Sequence, residues 1–508
     1  MITDLSHLVD HLRTLASSTA RVSADSRQIQ KGDLFFAYPV GQGSSLRDGR
    51  DYIAAALEAG AAAVVFDPAG MGSDYLDHPQ CFAVENLAMH VGQLCSSWYG
   101  DPSAQLGLIG VTGTNGKTSI TQWLAQALDS PSRRVAVLGT LGSGFPEALV
   151  QTGYTTPDAP RLQTQLKELL AAGATQIAME VSSHALDQGR TLGIAFDCAV
   201  LTNLTQDHLD YHGSMVNYAE AKAKLFHQSS LQHIVLNFDD AFGRELAMTL
   251  LAKDGPTIWG YALRQEVFNG FEKFGERLHR VYVKESNFAQ TGYDAVFECE
   301  GVGAYSVHAA LLGDFNLSNS LAVWAVLLSQ GLSGEEAAKR IAKLRPVVGR
   351  MEIVTLNKNQ PLVVVDYAHT PDALEKALLA LRPIAQQRAG KIWCVFGCGG
   401  DRDANKRPKM GAVAEKHADH IIITSDNPRS ENPESIMEMI RLGIKATSTE
   451  VQTIADRAVA IMTAVRHAQT NDVVLVAGKG HESIQEVNGK KFEFSDREHI
   501  QLAAGGAI

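Results

Sequence analysis

A chain of 508 residues is too long for one hydrophobic core, because cores stop growing at roughly 250 to 300 residues, so three domains are expected. Its composition, 45% hydrophobic and 20% charged with 16 prolines, excludes collagen-like, low-complexity and largely disordered chains. The formal net charge of -11 argues against the broad basic surface that nucleic-acid binding needs; no nucleic-acid partner is expected, and an anionic ligand would have to be held by local basic pockets.

The N-terminus, MITDLSHLVDHLRTLA, places acidic residues and histidines where a secretory signal has a basic flank and an unbroken apolar run. No run of about 18 apolar residues occurs, so a cytoplasmic location without membrane insertion is expected. From Val22 to Phe66 short apolar segments alternate with polar turns, and Asp51 to Gly60 reads as an Ala-rich helix leading into a strand at AAAVVF. This small α/β domain ends near Asp101-Pro102. A strand over Leu106 to Val111 follows, then a glycine loop, then a helix with Ile120, Trp123, Leu124, Ala127 and Leu128 on one face. Further strands are predicted at RVAVLGT, TQIAMEVSS, FDCAVLTNL and HIVLN, with helical segments between several of them, the pattern of a mostly parallel sheet. Arg277 to His308 reads as antiparallel strands, an added small sheet. Near Pro346 the pattern changes again, and PLVVVDYAHTP, KIWCVFGCGG, HIIITSDNPR and VVLVAGKGHE each run from a strand into a polar turn. The expected division is 1–101, 102–345 and 346–508, all α/β. Six cysteines (Cys81, Cys95, Cys198, Cys299, Cys394, Cys398) lack paired metal-ligand spacing and read as reduced structural thiols.

The chemistry should collect where strands end, because open α/β sheets bind ligands at the carboxyl ends of their strands. Gly110-Val-Thr-Gly-Thr-Asn-Gly-Lys-Thr118 is a phosphate loop, in which glycines let backbone N–H groups surround an anion, a lysine reaches the outer phosphates and a Ser/Thr hydroxyl holds magnesium. Gly113, Gly116, Lys117 and Thr118 fit those roles. The strict motif has a glycine where Val111 stands, so the loop is a short variant. In MEVSSH, Glu180 is a candidate magnesium ligand, while Ser182 and Ser183 could equally cap the next helix. In LTQDHLDYHG, His208 is a second candidate ligand, against a solvated polar loop. Lys222 lies in a helical pattern whose lysines would ordinarily face solvent. Four turns close strands in the last third: DYAHTP, GCGGDRD with Arg402, Asp426-Asn-Pro-Arg429, and Gly478-Lys-Gly-His-Glu482. Arg429 is the most specific, since a guanidinium binds a carboxylate through two parallel hydrogen bonds; a surface salt bridge to Glu431 or Glu434 is the alternative.

In order along the chain, Asp25-Ser26-Arg27, TGTNGKT, Thr155-Thr156-Pro157, MEVSSHAL, NLTQDHLDYHG, Ala221-Lys222, LGDFN with Asn319, GRME, DYAHTPDAL, GCGGDRD, DNPR and GKGHE resemble the Mur ligase family over nearly the whole chain, and most closely its diaminopimelate-adding members. The resemblance implies an N-terminal domain for the UDP end of a substrate, a central ATPase domain and a C-terminal Rossmann-like domain for an incoming amino acid. It implies an ATP-dependent, ADP-forming ligase of peptidoglycan precursor synthesis that joins meso-diaminopimelate to UDP-N-acetylmuramoyl-L-alanyl-D-glutamate. It further implies magnesium held by Thr118, Glu180, His208 and a carbamylated Lys222, with Lys117, Glu180, His208 and Lys222 catalytic. Thr114 and Asn115 of the loop, with Asn316, Arg350 and His369, would face ATP. Ser26, Thr155, Thr156, Ser182, Gln188 and Arg190 would contact the UDP substrate, and Arg402, Asp426, Asn427, Pro428, Arg429, Gly478 and Glu482 would surround diaminopimelate. Tyr154 and Ala24 depart from the asparagine and leucine that some members carry beside these motifs. A monomer is expected. The competing readings are a lysine-adding or folylpolyglutamate-synthetase-like ligase and, in another class, a nucleotide-controlled binding module without net synthesis.

Overall fold

Runs of β-branched residues build three main sheets in the computed structural model, which describes residues 4–40, 47–71, 73, 75–356, 359–445 and 450–505. The first has four parallel strands, in the order Val22–Ser23, Leu34–Ala37, Ala63–Phe66 and Cys81–Ala83. Helix Leu5–Leu15, capped by the Asp4 carboxylate, buries Leu8, Val9 and Leu12 in the same core as Val91 and Leu94 of helix Leu87–Trp98.

The second sheet has ten strands. Seven run parallel, from Val135–Gly139 through Gln176–Glu180, Gly107–Thr112, Cys198–Leu201, His233–Asn237 and Thr257–Ala262 to Leu278–Ala289. Gly107–Thr112 lies between Gln176–Glu180 and Cys198–Leu201, so the chain reverses its order across the sheet beside this strand, and a crevice opens at its carboxyl end. The antiparallel strands Gly292–Cys299 and Gly303–Ala309 continue the sheet through Leu278–Ala289. Their addition is therefore a direct extension of the parallel sheet. Strand Thr257–Ala262 was not anticipated: TIWGYA follows Gly255-Pro256 and lacks the unbroken aliphatic run of its neighbours.

Helix Lys117–Leu128 departs from the one-faced pattern expected of it. Between Thr118 and Leu128 only Gln126 is exposed, because the helix is packed between the sheet and the buried helix Asp314–Ser329. Its buried residues include the polar Thr118, Ser119, Thr121 and Gln122, which one-sided apolar periodicity assigns to solvent.

In the third sheet the order is Glu352–Val354, Leu362–Asp366, Val473–Ala477, Ile392–Phe396, His420–Thr424 and Glu450–Ile454, parallel except at the first pair. Val473–Ala477, last of the parallel strands in the chain, is inserted between Leu362–Asp366 and Ile392–Phe396. That insertion brings the turn at Gly478 beside the turns at Tyr367 and Gly397. All six cysteines are free and buried. Burial pushes the Cys81 thiol up to about 11 and those of Cys198, Cys299 and Cys398 up to about 12. Among the described residues no helix is long and apolar enough to cross a membrane.

Candidate functional site

The phosphate loop opens where strand Gly107–Thr112 ends. Gly110 belongs to the strand, where a Cβ would stand 2.8 Å from the Phe196 ring, and the loop proper begins at Gly113. Gly113 and Gly116 take φ of 147° and 88°, backbone that side chains rarely adopt. A Cβ on Gly113 would also fall 1.8 Å from the Thr202 hydroxyl oxygen. The segment after strand Cys198–Leu201 braces the loop: Thr114 N donates to the Asn203 carbonyl at 2.9 Å, Asn115 N to Asn203 Oδ1 at 3.0 Å, and the Thr202 hydroxyl to the Asn115 carbonyl at 2.6 Å. Lys117 Nζ folds back onto the carbonyls of Gly113 and Thr114, at 2.8 and 2.9 Å. Burial holds its pKa below the usual lysine value, with the Glu180 carboxylate opposing.

Glu180 ends the neighbouring strand and is fully buried. Its carboxylate accepts from the Thr118 hydroxyl at 3.0 Å, from Thr140 N at 2.8 Å and from the Thr140 hydroxyl at 3.2 Å. The Thr140 hydroxyl is in turn 3.0 Å from that of Thr155. Thr156 donates to the Glu180 carbonyl and accepts from Ser182 N, while Arg190 bonds the Thr156 carbonyl at 2.8 Å and Gln188 Oε1 at 2.9 and 2.6 Å. Ser182 also caps helix Ser183–Asp187 by accepting from Ala185 N, so the capping alternative holds for it, and Ser183 instead meets His212 Nε2 at 3.0 Å. Thr155, Thr156, Ser182, Gln188 and Arg190 thus form one network beside Glu180. Ser26 stands apart, opening the turn Ser26–Gln28 of the N-terminal unit behind the Asp25 cap.

Lys222, on helix Met215–Ala223, is buried rather than solvated. Its Nζ donates to the Gly113 carbonyl at 2.9 Å and lies 4.5 Å from the centre of the Tyr218 ring. The Nζ atoms of two lysines therefore share one carbonyl, among the described residues neither is bonded to a carboxylate, and burial, followed by the nearby Lys117, pushes Lys222 well below the usual lysine range. His208 sits in the left-handed region at φ 53°. Burial lowers it to about 4, with Asp207 opposing and Lys117 and Lys222 reinforcing. Among the described residues no three His, Cys, Asp or Glu side chains converge as a protein-built metal cage. The Thr118 hydroxyl, the Glu180 carboxylate and a neutral His208 form a sparse donor set, which suits a hard cation that draws most of its ligands from phosphate and water.

The facing wall comes from the last third of the chain. One cavity is lined by Thr114 to Ser119, Glu180 and His208 on one side and by Arg350, Asp366, Tyr367, Ala368 and His369 on the other. Arg350 Nη2 donates to the Thr118 hydroxyl at 3.1 Å. His369 Nδ1 lies 2.8 Å from the Tyr367 carbonyl. Asn316 is buried against the Leu312 carbonyl at 2.8 Å, and Asn319 reaches the lining itself.

Arg402, Asp426, Asn427, Pro428, Arg429, Gly478 and Glu482 lie outside that lining, on the adjacent turns. Arg429, at φ 50°, donates from Nη1 to the Gly400 carbonyl at 2.7 Å and lies 3.9 Å from Glu486 Oε2. The expected alternative partner Glu431 is taken by Arg407, whose buried guanidinium bonds it at 2.7 and 2.8 Å. Arg402 is exposed on its turn, bonded to the Asp401 carbonyl. Gly478 leaves room for Asp426, whose Oδ2 would be 2.5 Å from a Cβ there. Asn427 Nδ2 donates to Glu482 Oε2 at 2.8 Å, and the fully buried Lys479 bonds Asn427, Glu482 and the Ile484 carbonyl. Sequence reasoning passed over Lys479, Arg407, Tyr367, Thr140 and Asn203. The first three stand inside or beside motifs it did single out, but a lone Lys, Arg or Tyr in a turn carries no signal of burial.

Residues 111–327 match the Mur ligase middle domain, and residues 349–480 match the Mur ligase glutamate ligase domain. A relative from Ralstonia nicotianae named UDP-N-acetylmuramoyl-L-alanyl-D-glutamate--2,6-diaminopimelate ligase is 48% identical, over 98% of this chain and 96% of its own length. A solved structure of an enzyme of that name is 35% identical, with a TM-score of 0.65, covering 96% of this chain and 94% of the other. The fold alone is shared with a MurF ligase from Thermotoga maritima in complex with ADP, at 19% identity, 96% and 97% coverage and a TM-score of 0.62. With its phosphate loop facing a C-terminal wall and relatives matched along almost its whole length, the chain belongs to the Mur ligase family.

Proposed function

We propose that this chain uses ATP to join meso-diaminopimelate to the D-glutamate side-chain carboxylate of UDP-N-acetylmuramoyl-L-alanyl-D-glutamate, in the cytoplasmic synthesis of peptidoglycan precursors. The observation that carries the reading is a cavity lined by both the phosphate loop and Arg350 with Asp366 to His369, with the Arg429 turn adjoining it. In this reading residues 1–101 receive the UDP end, 102–345 hold ATP and 346–508 receive the amino acid. The names of the relatives supply the substrates.

A carboxylate is a poor acyl donor, so the γ-phosphoryl group of ATP passes first to the glutamate side chain, giving an acyl phosphate and ADP. A neutral amine of diaminopimelate then attacks the acyl carbon; the amide forms, phosphate leaves and the amine gives up a proton. Such transfers depend on positioning and electrostatics. Lys117 and Arg350 converge on the loop where the phosphates would lie, and His369, which lines the same cavity, would with Asn316 serve the rest of the nucleotide. Thr118 would hold one magnesium ion, and Glu180 and His208 with a carbamylated Lys222 a second. His208 held neutral at physiological pH is in its ligating form. Burial and the nearby Lys117 disfavour the charged form of Lys222, and the free amine is the form that would add carbon dioxide to become a carbamate. Magnesium, when bound, supplies positive charge against that gathering on the transferred group. The Thr155, Thr156, Ser182, Gln188 and Arg190 network, with Ser26, would hold the UDP substrate.

Arg429 is the selecting residue. Diaminopimelate carries a second amino-acid head whose carboxylate would pair with the guanidinium; lysine would leave it unpaired, and sites built around a polar partner reject analogues that lack it. The test is phosphate release from ATP with the UDP-linked dipeptide and diaminopimelate, lysine or no amino acid. Stimulation by diaminopimelate alone is expected, and Arg429→Ala should erase the preference while ATP binding persists. Equal rates with lysine, or hydrolysis indifferent to any amino acid, would sink the reading.

A further inference from the structure

Tyr367 stands where the nucleotide cavity and the amino-acid turns meet. Tyr367 is one of the residues lining the cavity. The Arg350 guanidinium lies 4.3 Å from the ring centre, a cation held on a π face, and the same guanidinium donates to the Thr118 hydroxyl on the phosphate loop. The His369 and His481 rings flank it at 4.7 and 5.3 Å. At its other end the Tyr367 hydroxyl donates to Glu482 Oε1 at 3.3 Å, while Glu482 Oε2 accepts from Asn427 and Lys479. The backbone permits nothing larger between them: a Cβ on Gly480 would stand 2.8 Å from Tyr367 Cβ, and one on Gly349 2.2 Å from His481 N. The turns carrying Arg350, Tyr367 and Glu482 are therefore packed backbone to backbone.

We propose that Tyr367 is a positioning residue shared by the two sites, and that it ties affinity for the amino acid to occupancy of the nucleotide cavity. This rests on the ligase reading above. A polyphosphate entering the cavity competes with Thr118 for the Arg350 guanidinium, and the ring that carries this guanidinium is the one whose hydroxyl orients Glu482. Any shift of Arg350 toward the phosphates therefore changes the placement of a carboxylate that would receive the ammonium group of the amino acid. By linkage, the amino acid must change nucleotide affinity by the same factor.

The test is calorimetric titration of meso-diaminopimelate into the intact chain saturated with the UDP-linked dipeptide, with and without magnesium and a non-hydrolysable ATP analogue. In the unmodified protein the analogue should tighten diaminopimelate binding by about fivefold or more. Tyr367→Phe keeps the ring beneath Arg350 and removes only the hydroxyl; the enhancement should fall below about twofold while the affinity of the analogue stays within about twofold. Arg350→Lys, which loses the stacked plane, should weaken the enhancement from the other end at saturating analogue, although Arg350 itself makes no bond to Glu482. It also serves if Tyr367→Phe does not fold. Full enhancement in Tyr367→Phe, none in the unmodified protein, or an equal loss of diaminopimelate binding with and without analogue each overturns the coupling. Failure of the unmodified chain to release phosphate in response to diaminopimelate overturns the ligase reading instead.

Discussion

Lys222 and Glu431 show how differently a single charged side chain can be held. Lys222 is buried beside a second lysine with a carbonyl as its hydrogen-bond acceptor, an arrangement that favours a neutral or modified amine over an ammonium. Lys222→Ala is expected to lower the rate of phosphate release by about 100-fold or more, the cost of removing one preorganised electrostatic group. A small added carboxylate should restore part of it in that variant and leave the unmodified enzyme unaffected. Glu431 has the opposite situation, with the Arg407 guanidinium beside it holding its carboxyl below the usual value. A carboxyl depressed in the folded state stabilises above its unfolded pKa of 4.5, and that stability is lost as pH falls through the lower folded value. Glu431→Gln, which leaves Arg407 buried without its ion, should cost about 1.5 to 3 kcal/mol at neutral pH, the range for a hydrogen bond to a charged group. Denaturant unfolding at pH 7 and at progressively lower pH checks this, because the difference from the unmodified protein should shrink with acidification.

Among the elements, the link from strand Gly107–Thr112 to helix Lys117–Leu128 depends on Gly113. With its Cβ placed 1.8 Å from the Thr202 hydroxyl oxygen, Gly113→Ala should abolish nucleotide binding in a fluorescence titration while circular dichroism stays unchanged, since the clash lies in a loop rather than in a core. This region was legible in the sequence because glycine, lysine and threonine each answer a separate demand of a phosphate, and because the strand before and the helix after are strongly patterned. The parallel α/β class was legible from the same alternation. Strand order was not: nothing local to VVLVA says that Val473–Ala477 will be inserted between two earlier strands. That insertion is what sets Glu482 beside Tyr367, so the contact of the two turns could not be read from either motif. The full burial of helix Lys117–Leu128 was missed for a related reason, since its second apolar wall is contributed by helix Asp314–Ser329, some 200 residues later.

At the scale of the whole molecule, the cavity lies between the second and third sheets, and few polar contacts span it. Asn115 Nδ2 reaches Asp372 at 3.1 Å, Arg350 reaches Thr118 at 3.1 Å and Lys409 reaches Gln206 at 3.0 Å. A nucleotide bound there would touch both walls, and a ligand that binds only the folded state stabilises it by about 2.7 kcal/mol at 100 times its Kd. ADP with magnesium should therefore raise the midpoint of thermal unfolding of both units together by a few degrees, whereas a nucleotide held by one wall alone would raise only that unit's transition. The buried cysteines make the relative movement of the two walls measurable. With every native thiol sequestered and resistant to ionisation, maleimide dyes would react slowly with the unmodified chain. Cysteines introduced at Val216 and Leu442, which are 65% and 68% exposed on the central and C-terminal units, would become the preferred points of attachment. A donor and acceptor placed there would report, in real time and without stripping out native residues, any change in the distance between the two units when nucleotide, UDP-linked dipeptide or amino acid is added.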